Sequence, residues 1–406
     1  MQKQKTLQQI VAPKPLDTQK LVREQVLSDQ VAVLKRTNKA LLRQIGSQQR
    51  ISEILRESIS AIPPPKRFYV ISRKPKRAAE GIEYDAVLVL SDHHFPEVVS
   101  RRTVGGQNEF NPEICLDRLW DLGRRVIRIT DNERRASRID NLKILCAGDL
   151  SGGEIHEDLK ATNAVPLLLS ASQYASIVAQ FVGSMTQHFE HVDMLWVPGN
   201  HGRLTPKITY KQFAENSVDM AIGDQAAVYL GDCVAKGLCA IELARSLETV
   251  AVIRDRTFLV GHGFGFRSWA SIPVYGMTKD TAKERALRSY AKPLPQADEF
   301  KNKDDAVAWF RRELSKQFQH RIMGHWHVYQ IHDNGGIMVN GALIGANEYS
   351  VSSSVKGSST PVQLFFLVSR EYLPGPIWPM DLSRPKGKHQ FKYDPELWGS
   401  ELGEIV

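Results

Sequence analysis

The first sixty residues carry a helical pattern. From Leu21 to Ile59 the apolar positions recur at steps of four and three: Leu27, Val31, Leu34, Leu41 and Ile45, with Asn38 in the same stripe. That spacing places them on one face of a helix. Gly46-Ser47 predicts a break, after which Ile51, Ile54, Leu55 and Ile59 resume the stripe. Two forms fit: a short coiled coil with Asn38 setting register in the seam, or a helical hairpin packed on the body. Pro63-Pro64-Pro65 cannot continue a helix and favours an extended path. The pattern predicts a helical arm over 1–62 and a Pro/basic linker over 63–81.

Beyond residue 82 the texture changes. Short β-branched apolar runs appear at Ala86–Leu90, Leu142–Cys146, Met194–Val197, Phe258–Val260, Arg321–Met323, Ile337–Val339 and Val362–Val368. Each is stopped by a small or polar residue and reads as a buried strand. Helical stretches at Ile114–Ile129 and Val165–Phe189 lie between them, an alternation that predicts an α/β layered domain over 82–370. Asp131–Asp140 reads as a charged loop. Residues 264–320 read as an insertion with helices at Lys279–Tyr290 and Asp304–Phe318. The proline-rich stretch 371–406 reads as an extended, surface-hugging tail.

Composition narrows the class. The chain has 406 residues, 42% hydrophobic and 24% charged, which excludes wholesale disorder. No apolar run approaches the roughly 18 residues of a membrane span, and the polar Met1–Ile10 lacks an apolar signal core. Cys115, Cys146, Cys233 and Cys239 form no C-x-x-C and no disulfide framework, so a reducing cytoplasmic location is expected.

Charge is unevenly placed. Residues 1–77 hold 17 Lys/Arg against 5 Asp/Glu, a net of +12, whereas the remainder nets −4. A basic arm on a mildly acidic body fits a polyanion, nucleic acid first; a solvated charged helix fits the same numbers.

The candidate chemistry sits where strands end. Five ends carry Ser91-Asp92-His93-His94, Gly148-Asp149, Gly199-Asn200-His201, Gly261-His262 and Gly324-His325-Trp326-His327. Each fragment alone is an ordinary turn. Together they gather two aspartates, one asparagine and six of the twelve histidines (His93 and the five at 94, 201, 262, 325 and 327) at the end of the sheet where sites form. Imidazole with carboxylate suits Mn, Fe, Zn or Ni rather than Ca. The set exceeds what one tetrahedral ion needs, which points to two metals.

The order D-x-H, G-D, G-N-H, G-H, G-H-x-H resembles the calcineurin-like metallophosphoesterases over roughly residues 85–370. Val339-Asn340-Gly341-Ala342 and Asn347-Glu348-Tyr349 resemble the phage-borne branch of that family, which would place the protein in a host cytoplasm. The resemblance implies a fold of two packed mixed sheets flanked by helices. It implies one metal held by Asp92, His94 and His327, a second by Asn200, His262 and His325, and Asp149 as the bridge. It implies His201 as the acid–base residue and two divalent transition-metal ions, Mn first. Two cations about 3.5–4 Å apart would neutralise a phosphoester and lower the pKa of a bridging water. Arg203 reads either as a phosphate contact or as a surface arginine.

Several features bear on that resemblance. Family members often carry Glu or Asp after G-N-H; here Gly202 follows, so His201 needs another orienting partner. Gly148-Asp149-Leu150-Ser151-Gly152-Gly153 lacks the Asp-Arg pair of protein Ser/Thr phosphatases. His93, the variable position of D-x-H, is expected behind the ligands. Glu154, His156, Glu157 and Asp158 read either as lining of a substrate cleft or, the preferred reading, as a helix cap. The Gly261–Gly265 alternation has no following Lys-Ser/Thr and is not a phosphate loop.

Three functions compete. The dimetal set with the basic arm favours a nucleic-acid phosphodiesterase or nuclease. A phosphomonoesterase acting on a small molecule or protein, with the arm as a homo-oligomerisation helix, uses the same metals. A binding protein with a decayed site conflicts with the intact ligand set.

Overall fold

In a computed structural model of the chain, the described residues are 81–155, 159, 162–266, 273–288, 318–352, 359–371 and 375–393. The arm, the linker up to Glu80, His156 to Asp158 and the expected helix at Asp304–Phe318, apart from Phe318 itself, lie outside them.

Two mixed sheets form the body. The first has the order β11-β10-β1-β2-β3-β4, from Ile377–Asp381, Val362–Val368, Glu83–Leu90, Arg138–Cys146, His191–Trp196 and Cys239–Leu243. Within it β1, β2, β3 and β4 run parallel, and β10 and β11 are antiparallel additions. The second has the order β5-β6-β7-β9-β8, from Glu248–Ile253, Arg256–Gly261, His320–Met323, Ile337–Val339 and Gln330–His332. There β6, β7 and β9 run parallel.

The period-two alternation of β1 builds two cores at once. Val87 and Val89 pack with Leu364 and Phe366 of β10, Phe258 and Val260 of β6, Ile322 of β7 and Met338 of β9, filling the space between the sheets. Ala86, Leu88 and Leu90 point the other way, onto helices α1 (Pro112–Glu133) and α2 (Leu167–Met185) through Leu116, Leu119, Ala175 and Val178. α3 (Val218–Tyr229) and the short α4 (Gly231–Ala235) cover the β4 side of the same layer. Met277 of α5 (Val274–Arg288) joins Met323, Ile337 and Val339 on the outer face of the second sheet. The fold is therefore α/β, two packed mixed sheets flanked by helices.

α1 starts where its sequence says it should. Asn111 Oδ1 accepts the Ile114 N–H at 2.9 Å, and Pro112 stands in the first turn, where no N–H is needed. The helix runs to Glu133 and β2 begins at Arg138, so the charged loop expected over Asp131–Asp140 is only four residues long. The reason is local: Asp131 pairs with Arg134 at 3.0 Å on the helix, and buried Asp140 sits in the strand against Arg138. The helix expected at Lys279–Tyr290 begins earlier, at Val274. The tail expected to lie on the surface supplies β11, whose Ile377 to Asp381 pair with β10, and Pro379 is tolerated because this is an edge strand. Strands β4, β5, β8 and β11 have no counterpart in the sequence reading. They are short, and β4, β5 and β8 are mostly half-buried or exposed.

Candidate metal centre

The parallel strands β1, β2, β3, β6 and β7 all deliver their C-termini to one edge of the two sheets, and every sequence-predicted ligand follows one of them. The backbone there is strained. Asp92, His94, Asp149, His325 and His327 all adopt left-handed φ, between 51° and 74°. Such conformations cost of order 1–3 kcal/mol each in non-glycine residues and gather where function needs a particular side-chain direction. Gly148 precedes Asp149 at φ 87°, and a Cβ there would meet the Cα of Gly199 at 2.6 Å. A Cβ on Gly199 would in turn meet Asp149 Oδ1 at 2.1 Å. Only glycines let the β2 and β3 loops close on the Asp149 carboxylate.

Three groups of donors converge: Asp92 with His94 and His327, Asp149 with His262 and His325, and Asp149 with His94 and His201. Within each, the donor atoms lie within 4.8 Å of one another. His94 Nε2 and His327 Nε2 are 3.1 Å apart, with Asp92 Oδ1 3.4 Å from the latter. His262 Nε2 lies 2.7 Å from Asp149 Oδ2. Asp149 Oδ1 accepts the backbone N–H of His201 at 2.7 Å. Asp92 accepts the His325 N–H through both oxygens, at 3.1 and 3.0 Å. Asn200 Oδ1 is buried without a hydrogen-bond partner. Lone pairs packed this tightly, and a buried, unpartnered oxygen on a further expected ligand, fit divalent cations.

The metal-free electrostatics agree with that demand. Burial opposes ionisation of Asp92, but His262 and His327 hold its carboxyl down at about 2. Asp149 lies lower still: burial opposes it, and His262 and His201 outweigh the burial. His262 is pushed up to about 9, its burial overcome by Asp149. His325, buried and beside His262, is pushed down to about 3. Without a cation, a proton on His262 neutralises part of the site.

The outer partners fix each ring. His262 Nδ1–H donates to Ala147 O at 2.7 Å, turning Nε2 toward Asp149. His201 Nδ1–H donates to Gly152 O at 2.9 Å, so a carbonyl supplies the orientation that the residue after G-N-H does not. His94 Nδ1 is 3.5 Å from the Glu97 carboxylate, which is buried and accepts from Asn347 Nδ2 at 2.9 Å. A carboxylate behind a ligating imidazole is the usual way to fix such a ring. His93 turns away from the site to meet the hydroxyl of Tyr174 on α2. Burial pushes its pKa down to about 3, so it stays neutral.

Four contributors escaped the sequence reading. Asp219, fully buried in the first turn of α3, accepts from Asp149 N at 2.8 Å, Gly199 N at 2.9 Å and Ser151 N at 2.9 Å. A Cβ at Gly202 would come within 3.2 Å of the Asp219 Cγ, so Asp219 fills the space that a side chain at 202 would take. Glu97 is the second. Gln363 and Asn340 are the others: with Ser91 they form a fully buried amide network between the ends of β1, β9 and β10. Arg118 of α1 adds support, donating to Leu343 O at 2.9 Å and Ile344 O at 2.7 Å, while Leu343 N donates to Asp92 O. A single apolar-looking strand end gives no sign of Asp219 or Gln363, which come from elements far away in sequence, whereas Glu97 is local, three residues after His94.

Arg203 donates to the carbonyls of Asn200 at 2.6 Å, Thr205 at 3.1 Å and Pro206 at 3.3 Å. It braces the loop that carries Asn200. Glu154 Oε1 accepts the Leu167 N–H at 3.4 Å at the start of α2, but from outside the helix, whose N-cap position is Pro166. Gly263 to Gly265 turn away from β6 as a simple loop.

No family model matches this chain, and no curated protein matches it. Among solved structures, it is similar to a single mutant of Vps29 from Entamoeba histolytica, with 15% identity, 70% of this chain and 86% of that chain covered, and a TM-score of 0.27. It is also similar to wild-type Vps29 complexed with zinc from the same organism (14%, 73% and 99%, TM-score 0.25). A third is a conserved uncharacterized protein, a predicted phosphoesterase, from Streptococcus pneumoniae TIGR4 (11%, 73% and 98%, TM-score 0.22). At these values the reading of the site rests on its own geometry. Among the described residues, no helix is long and apolar enough to cross a membrane.

Proposed function

We propose that the chain is a dimetal-dependent phosphoester hydrolase whose substrate is a nucleic-acid phosphodiester. The observation that carries the reading is the position of Asp149: it groups with His262 and His325 on one side and with His94, itself grouped with Asp92 and His327, on the other. Asp92, His94 and His327 would hold one ion, and Asn200, His262 and His325 the other, with Asp149 common to both. When bound, two divalent transition-metal ions, Mn first, would clamp the phosphoryl oxygens and supply a water of lowered pKa.

The chain's own residues do the rest. Asp149 holds the β3 loop against the centre through the His201 N–H. His201 keeps one proton on Nδ1, toward Gly152 O, and its other nitrogen serves the leaving-group oxygen as acid–base. Burial pushes the pKa of His201 down to about 4. A bound phosphoester brings negative charge, which acts in the opposite direction and favours the proton on His201. Glu97 and Asp219 stiffen the two sides of the site and touch no substrate. The diester reading draws on the +12 arm of residues 1–77, which suits a polyphosphate chain.

The test is a metal-supplemented assay comparing a nitrophenyl monoester, a bis-nitrophenyl diester, and single- and double-stranded DNA and RNA. Hydrolysis of the diester and of one nucleic acid is expected. Turnover of the monoester alone would replace this reading with a phosphomonoesterase, and no turnover of any ester would remove the hydrolase.

A further inference from the structure

The second half of α1 carries Arg124, Arg125 and Arg128, and the segment after β11 brings Lys386 alongside. With Asp121 these residues line a cleft of about 300 Å³. Four cations face one carboxylate, and that carboxylate is already engaged: Asp121 is 2% exposed and accepts from Arg124 at 3.2 Å and from Arg125 at 2.8 Å. The neighbouring acids are engaged too. Asp117 binds Lys388 at 2.8 Å and the His389 N–H at 2.9 Å, and Asp131 binds Arg134 at 3.0 Å. The chain from residue 78 onward nets −4, so the local excess of cations is not a general property of its surface.

Two of the guanidiniums are fixed in advance. Arg124 also donates to Lys386 O at 2.6 Å, and Arg125 to Asp381 O at 2.6 Å. These bonds pin the segment 381–386 to α1 and hold the charged groups together. Arg128 and Lys386 remain exposed beside them. Like charges gathered on a rigid frame repel one another, and a multivalent anion with several acceptor oxygens relieves that repulsion.

We propose that this cleft is a phosphate-binding subsite separate from the metal centre. It takes the phosphate groups of a nucleic-acid strand or of a free oligophosphate. Arg118, near the start of α1, supports the loop beside Asp92. Arg128 lies ten residues further along the same helix, about 15 Å of rise from Arg118. The subsite therefore binds and positions an anion without touching the reacting atoms, and it stands whether or not the hydrolase reading does.

The experiment uses the full chain and the double variant Arg128→Gln/Lys386→Gln, which spares the bracing residues Arg124, Arg125 and Asp121. A second double variant, Lys236→Gln/Lys283→Gln, removes equal charge elsewhere on the surface. Inorganic tripolyphosphate binding is followed by calorimetry, and binding of a single-stranded oligonucleotide over a salt series. Melting curves confirm that both variants fold, and hydrolysis of a small diester is expected to stay at the wild-type rate. The cleft variant is expected to lose tenfold or more in affinity for at least one probe. If the oligonucleotide is the probe affected, its log K against log salt slope falls by about 1.4, from about 0.7 per phosphate contact on a single strand. Loss confined to tripolyphosphate assigns the cleft to free oligophosphates, and loss that includes the oligonucleotide assigns it to a strand. Unchanged binding of both probes, no binding by the wild type, or an equal loss in the control variant overturns the proposal.

Discussion

Asp219 accepts the backbone N–H of Asp149 at 2.8 Å. The same carboxylate takes the N–H groups of Gly199 and Ser151, so one buried side chain from α3 stitches the β2 and β3 loops together behind the centre. Asp219→Ala would leave three buried donors unsatisfied, at about 1–3 kcal/mol each. Chemical denaturation should show a loss of at least about 3 kcal/mol. Asp219→Asn, which keeps one acceptor oxygen, should fall between Asp219→Ala and wild type. A loss below about 1 kcal/mol for Asp219→Ala would mean that the loops hold without it.

Glu97 stands behind His94 as Asp219 stands behind Asp149. Glu97→Gln should weaken metal binding by about 10–100-fold, measured by competition with a chelating dye, while the far-ultraviolet circular dichroism stays unchanged. Wild-type affinity in this variant would show that the 3.5 Å approach to His94 Nδ1 has no bearing on the ligand.

The sequence foreshadowed the first layer of this site well and the second poorly, for a physical reason. Most of the candidate donors sit at strand ends beside glycines, because a sharp turn and a close backbone approach need them. Asp149, Asn200, His262 and His325 therefore announce themselves locally. Asp219 and Gln363 reach the site from a helix start and an antiparallel strand, and only the tertiary fold brings them in; Glu97 sits in the turn just after His94, where no spacing rule marks it. The strands show the same division. Fully buried β1, β9 and β10 read as apolar runs, whereas the partly exposed β5 and β8 look like loop. Pro379 in β11 disguised an edge strand as a tail.

His201→Ala should slow hydrolysis by about 10²–10⁴-fold for esters with basic leaving groups, and much less for nitrophenyl esters. A general acid matters most when the departing oxygen is a strong base. Metal content should be unchanged in this variant. Equal losses on both kinds of ester would assign His201 to positioning the phosphate instead.

His320, at the start of β7, should make stability pH-dependent away from the metal centre. Burial, with Arg256 and Arg285 nearby, holds its pKa below the usual 6.5, and its Nδ1–H donates to Gly335 O at 2.9 Å. The folded chain keeps it neutral, so the unfolded chain binds the extra proton. Its contribution is present above pH 6.5 and is lost as pH falls toward the depressed folded value, with a slope of at most one proton. Denaturation from pH 7.5 to 5 should show this slope in wild type and a shallower one in His320→Gln. Equal slopes would contradict it.

Everything proposed for the chemistry depends on Asp149 being shared between two metal ions. Metal analysis of the full chain, equilibrated with Mn²⁺ and freed of excess, decides this when run beside Asp149→Asn. Close to two equivalents per wild-type chain are expected, with loss of both ions and of turnover in the variant. A reproducible single equivalent in the wild type, or a variant that retains its metals and most of its activity, would contradict the sharing.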